Sequence, residues 1–456
     1  LAGDYLDCPA QPSGAHIRPE NRFFEVVPRI VPANTEQTIT ITPLYAHVRP
    51  QEGWTYTLRY TPADQWADKS GWDPKDKTPK ELTPVEGRYE FRFLFEGEQE
   101  HTLYIEATKA DKKKVLGSIH VYSLEPDLFA LRPFKGDFHM HSCRSDGVES
   151  PAYMAAVCRR VGLDFMALSD HRTYGGSVES QEEFKEAPVD LRIYNAEECH
   201  APDNPVHVLS FGAKCSISEQ YKDEAAYRAA VAEIEKTLPE TPAGVSKFVY
   251  ASCVWEAQRI REAGGMSMFC HAFWYPGNHF YIPMAMTDYL LEKETFDALE
   301  LISGMDSKDL AEMDTTVLQL AKYNEERAKG KRIPICGISD THGAENSETF
   351  GRNYTIVFSP SIELADLISS IKGLNSVAVE AFHGTQPRPF GPFRLVKYAS
   401  FLLREVFPQH DELCGDEGRI MLQYAAGEKG AKKRLKAVKG QTAELYEKYW
   451  NVKAKK

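Results

Sequence analysis

From Pro133 onward, strand-like runs alternate with helix-like ones, and the strand ends keep carrying the same residue types. Asp137-Phe138-His139-Met140-His141 closes the first run and Leu168-Ser169-Asp170-His171 the second. Asn195-Ala196-Glu197-Glu198 closes the third, and His207 begins the fourth. Cys270-His271 and Ser339-Asp340-Thr341-His342 close two later runs. Strands alternating with helices specify parallel βα units, whose carboxyl ends share one rim. Residues i and i+2 of an extended strand face the same side, so His139 aims with His141 and Asp340 with His342. The Ser142–Gly147 loop brings Asp146 beside the first pair. A lone HxH is weak evidence of a metal; nine ligand-type residues, each at or beside a strand end, are not a chance distribution. They are His139, His141, Asp146, His171, Glu197, His207, His271, Asp340 and His342.

The period of the apolar residues changes along the chain. Between about residues 20 and 128, short runs such as Gln37–Thr42, Tyr89–Phe95 and His101–Glu106 alternate at period two, with Pro, Gly, Asn and Asp clusters between them. This predicts an all-β sandwich over residues 1–130. The pattern from 131 to 390 predicts βα units, with strands near 137–139, 165–169, 192–196, 206–211, 266–270, 298–302, 333–338 and 377–381. A helical insertion falls at about 216–263. Residues 391–456 read as a helical, increasingly basic extension.

Composition sets limits on partners. With 54 Lys and Arg against 66 Asp and Glu, the net charge of −12 argues against long nucleic acid, which requires a basic surface. It leaves a phosphorylated substrate open, since a metal reverses the local sign of charge. No run of 18 apolar residues is present, so no membrane span is expected. Nine scattered cysteines without a CxxC pair suit free thiols in a reducing, cytoplasmic compartment. A chain that begins with Leu also fits an exported mature form.

The ordered series of HxH, SDG, SDH, a Glu with a His ten residues on, a later lone His and a final DxH resembles the polymerase-and-histidinol-phosphatase (PHP) superfamily, over roughly residues 133 to 390. The resemblance implies a distorted seven-stranded (β/α) TIM-like barrel whose rim holds two or three metal ions. It implies that His139, His141, Glu197 and Asp340 hold one ion, that Asp146, His171 and His342 hold a second, and that Glu197, His207 and His271 hold a third, with Glu197 bridging. Two departures from the family stand out. Ala272 follows the lone His where many relatives have Pro, and some members have His at the Asp146 position. Nitrogen and oxygen donors of this mix suit Zn, Mn or Fe.

Such a centre is built for hydrolysis: a metal lowers the pKa of its water from about 15.7 to near 7 and neutralises phosphoryl oxygens. The expected activity is phosphoester cleavage of a small phosphorylated substrate by a metal-bound hydroxide. Around the ligands, Asp170 is a candidate orienter of an imidazole, with a strand-end cap as its plain alternative. Arg144 and Arg352 are candidate phosphate forks, although a solvent-facing arginine is the commoner role. His383 is a candidate leaving-group acid, or a structural histidine. Phe273-Trp274-Tyr275 is a candidate substrate wall, or core packing. Two other functions compete: amidohydrolase-like or nucleotide phosphodiesterase chemistry at the same metals, and a binding role in which the sandwich takes carbohydrate or protein.

Overall fold

A computed structural model describes residues 18–66, 80–304, 315–345, 347, 349–381 and 386–452. They fall into two compact units. One comprises 18–131 with Lys397–His410 and 440–452, and the other comprises Arg132–Val396 with Asp411–Lys439.

The first unit has two sheets. Phe24–Val27, Thr35–Pro43 and Tyr89–Phe95 form one, all antiparallel. Ile30–Pro32, Lys112–Leu124, Glu100–Lys109, Thr55–Pro62 and Lys80–Glu81 form the other. Alternation does the folding: Ile39 and Ile41 point inward from one sheet and meet Tyr56, Leu58, Leu103 and Ile105 of the other in a common core. Helical residues also belong here. The carboxylate of Glu405 is buried between Arg18 (2.7 Å) and Arg29 (3.3 Å), so each charge has a partner.

The second unit also contains two sheets. Arg192–Ile193, Phe165–Met166 and Arg132–Asp137 run parallel; Tyr354–Ser359, Ser376–Glu380 and Arg388–Phe390 extend that sheet in antiparallel fashion. Ala196–Cys199, Val208–Phe211, Met266–Phe269, Ala298–Ile302 and Ile335–Gly337 form the other sheet, antiparallel in its first two pairings and parallel in the next two. Two parallel single bridges, Met140 with Thr341 and His171 with Glu198, join the sheets where the candidate ligands lie. Phe138, Phe165, Phe211, Met266 and Met268 fill the space between them. The Pro151–Arg160 helix starts where its chemistry dictates: Ser150 accepts from the Tyr153 N–H (3.3 Å) and Pro151 occupies the first turn. Within the 216–263 stretch lie the helices Glu224–Thr237 and Lys247–Glu262.

One expectation changes. The βα pattern implied one run of parallel strands, but Tyr354–Ser359, which the sequence reading missed, is antiparallel between Arg132–Asp137 and Ser376–Glu380. The strands therefore form two mixed sheets. Within the 391–456 segment, residues 397–410 and 440–452 belong to the first unit and 411–439 to the second.

Candidate metal centre

The first strand ends at Asp137, and the chain then carries His139 and His141 along the seam with Thr341, whose carbonyl accepts from the His141 N–H (2.8 Å). Asp170 fixes the loop that follows. Its carboxylate accepts from Ser142 N (2.7 Å), Ser142 Oγ (2.8 Å) and Ser145 Oγ (2.9 Å), which places Asp146 at the rim. Gly176 permits this arrangement, since a Cβ there would stand 2.1 Å from Asp170 Oδ2. On the opposite side, a Cβ on Gly304 would stand 1.6 Å from the carbonyl oxygen of Ser339, just before Asp340. Asp340 (φ 45°) and His271 (φ 24°) both hold positive φ, an uncommon conformation that concentrates at functional sites.

The cluster centres on Glu198. Its Oε2 lies 2.9 Å from His171 Nδ1, 3.4 Å from His139 Nε2 and 3.6 Å from His141 Nε2. Its Oε1 lies 2.8 Å from His207 Nδ1, 3.1 Å from His271 Nε2 and 3.7 Å from His200 Nε2. Asp340 Oδ1 approaches His141 Nε2 at 3.1 Å and His139 Nε2 at 3.2 Å. Asp146 Oδ2 faces His171 Nε2 (3.2 Å) and His342 Nε2 (3.4 Å). Glu198 is buried, whereas Asp146 is 54% and His342 40% exposed, so the centre opens on the Asp146 side.

Charge and burial oppose each other here. Burial pushes the Glu198 carboxyl up, but the His139 charge and hydrogen bonds from the imidazoles outweigh it and hold the group well below its usual range. Burial alone would push His139 down; the carboxylates of Asp340 and Glu198 raise it well above its usual value. Burial drives the Cys270 thiol up, so it is protonated and offers no thiolate. His207 is pushed down to about 4, chiefly by burial, and is a neutral nitrogen donor at pH 7.

The donor set fits divalent ions. Among the described residues, the buried Asp340 Oδ2 has no hydrogen-bond partner, and His139 Nε2 and His207 Nδ1 face carboxylate oxygens (3.2 and 2.8 Å) without hydrogen-bond geometry, a costly state unless they face a cation. Donor atoms of His141, Asp146, His171 and His342 all lie within 4.8 Å of one another, as do those of His139, Glu198 and His271, and those of His139, His141 and Asp340. The non-facing nitrogens are held as well. His139 Nδ1 meets Glu300 Oε2 (3.1 Å) and His342 Nδ1 meets the carbonyl of Asp340 (3.1 Å), the outer contacts that orient metal-binding imidazoles.

The structure therefore brings together eight of the nine expected ligands. The exception is Glu197. Its carboxylate turns to the other face of the strand and accepts from Ser216 Oγ (2.7 Å), Ile217 N (2.5 Å) and Ser218 N (3.3 Å). Successive residues of a strand point to opposite faces, and the bridge to His171 sets the register at Glu198. Asp170 holds the Ser142–Ser145 loop rather than an imidazole. Arg144 is occupied at the surface, with Nε 2.6 Å from Glu179. Arg352 is half-buried, and its backbone N–H donates to Thr349 O (2.9 Å). His383 lies outside the described residues. The expected aromatic wall is reassigned: Phe273 packs in the core, while Trp274 sits 5.7 Å from the His271 ring and 4.7 Å from Tyr281, which lies 5.4 Å from His207. Sequence reading missed Glu198, Glu300 and His200; the last lies two residues after Glu198, just past the strand end, a signal visible once the register is known.

Among the described residues, no helix is long and apolar enough to cross a membrane, and eight cysteines are free. No family model matches the chain. A curated relative, the DNA polymerase/3'-5' exonuclease PolX of Bacillus subtilis (strain 168), is 43% identical over 56 residues, which is 12% of this chain and 10% of that protein's length. A two-domain protein containing a predicted PHP-like metal-dependent phosphoesterase from Bacteroides vulgatus aligns with 60% of this chain and 71% of its own, at 16% identity and a TM-score of 0.40. An amidohydrolase from Chromobacterium violaceum, solved with bound sulfate and no metal, aligns with 46% of this chain and 87% of its own, at 16% identity and a TM-score of 0.30.

Proposed function

We propose that the chain is a metal-dependent hydrolase that cleaves a phosphoester in a small phosphorylated substrate at a di- or trinuclear rim site of a distorted (β/α) barrel. One observation carries this reading: each oxygen of the buried Glu198 faces three imidazoles, with Asp340 and Asp146 closing the group on either side. His139, His141, Glu198 and Asp340 hold one ion, and Asp146, His171 and His342 hold a second. His207 and His271 hold a third with Glu198. Divalent ions such as Zn, Mn or Fe supply Lewis acidity there, acidifying a water and offsetting phosphoryl charge. The protein's own groups do the rest. Glu300 keeps His139 Nε2 turned inward, and Asp170 keeps Asp146 on the rim. Trp274 and Tyr281 wall one side of the substrate. Arg144 reaches a phosphate by exchanging Glu179 for it; Arg352 and His383 serve as further phosphate or leaving-group contacts.

Assays of p-nitrophenyl phosphate, bis-p-nitrophenyl phosphate and simple amides, with and without chelator, test the reading. It predicts chelator-sensitive release from the monoester above the other two. Preference for the diester or the amide selects nucleotide phosphodiesterase or amidohydrolase-like chemistry. Silence on all three, with a sugar or protein held by residues 18–131, selects a binding role.

A further inference from the structure

Three of the centre's imidazoles have one nitrogen turned toward the carboxylates and the other held from outside. For His139 the holder is Glu300, and for His342 it is a backbone carbonyl. For His171 it is another imidazole: His200 Nε2 lies 3.0 Å from His171 Nδ1. His171 Nε2 lies 3.2 Å from Asp146; to ligate an ion held between them it would present a lone pair, which puts the ring proton on Nδ1. That N–H requires an acceptor. Glu198 Oε2 is near it at 2.9 Å, but the same oxygen also faces His139 and His141. With that oxygen committed to a cation, His200 Nε2 at 3.0 Å would be the acceptor left for the N–H. The His200 ring is fixed in turn: it stacks on His207 at 3.8 Å between centroids, with planes 19° apart, and its side chain is only 18% exposed.

Resting on the metal-centre reading above, we propose that His200 is a positioning residue of the Asp146 side: it accepts the His171 Nδ1 proton and aims His171 Nε2 at the ion shared with His141, Asp146 and His342. None of the motifs in the chain's HxH-to-DxH series includes it. An imidazole does here what a carboxylate does for His139, without adding a negative charge beside Glu198.

The test is a Zn²⁺ titration of the full, chelator-stripped chain against a competing dye, with ions per chain counted by elemental analysis. The variants are His200→Ala and His200→Gln; the Gln amide oxygen reaches the Nε2 position and restores an acceptor. The expected result is a loss of about ten- to a hundredfold in the affinity of one binding step in His200→Ala, with the other steps unchanged. His200→Gln should bind within about threefold of the wild type at every step. Wild-type affinities throughout in His200→Ala would overturn the proposal. So would a His200→Gln variant as weak as His200→Ala, since a direct ligand is not replaced by an amide. Failure of the wild type to bind Zn²⁺ at all would overturn the metal-centre reading itself.

Discussion

The two units each bury a histidine completely, and the two residues have opposite surroundings. In the sandwich, His101 sits between two hydroxyls: Tyr60 Oη is 2.7 Å from Nδ1 and Ser123 Oγ is 2.7 Å from Nε2. Both nitrogens are satisfied, and burial pushes the group down to about 4, so the ring is neutral and structural. In the second unit, His139 has carboxylates on three sides, is pushed up, and keeps a buried Nε2 with no hydrogen-bond partner among the described residues. Burial is equal in the two cases, so burial is not the mark of function. The mark is a nitrogen left unsatisfied among acids that would otherwise repel one another.

The largest expected effect separates the two histidines by activity. Asp340→Asn keeps the shape of the side chain but removes the charge facing His139 and His141. Losing Lewis-acid stabilisation worth several kcal/mol should lower kcat/KM on p-nitrophenyl phosphate by about a thousandfold. His101→Gln should leave it within about twofold. An inactive His101→Gln that remains folded would break the comparison.

A second effect concerns acid. Between the ordinary value of 6.5 and about 4, the unfolded chain takes up a proton that folded His101 refuses. The sandwich should therefore be fully stable above pH 6.5 and lose up to about 3 kcal/mol as pH falls to 4. Amide exchange in the Glu100–Lys109 strand reads this directly; His101→Gln should flatten the slope. The smallest effect is at the rim. Trp274→Ala removes one face of the proposed wall and should raise KM by about three- to tenfold with kcat little changed. An effect on kcat alone would place Trp274 in support of His271 instead.

Legibility followed the same division. Where strands bury one face, as in Thr35–Pro43, alternation is visible in the sequence and the sandwich was readable. The HxH and DxH pairs were readable because i and i+2 share a face in any extended segment. Glu197 and Glu198 defeated that logic. Every residue of Ala196–Cys199 is buried, so adjacent acids carry no alternation to say which one faces the histidines. Only the pairing with His171 decides it, and pairing between residues 27 positions apart is not written locally. His200 was lost with the register. Tyr354–Ser359 was missed for a related reason: a fully buried six-residue run has no period, and its antiparallel insertion departs from the βα rhythm around it.

The most direct test is the metal content of the full chain as wild type, Glu198→Gln and Glu197→Gln after reconstitution with Zn²⁺ or Mn²⁺. The account predicts two to three ions per chain in the wild type and in Glu197→Gln, and loss of at least one ion in Glu198→Gln, because only Glu198 stands among the imidazoles. A wild type without ions, or a Glu197→Gln variant that loses them while Glu198→Gln keeps the full set, would contradict it.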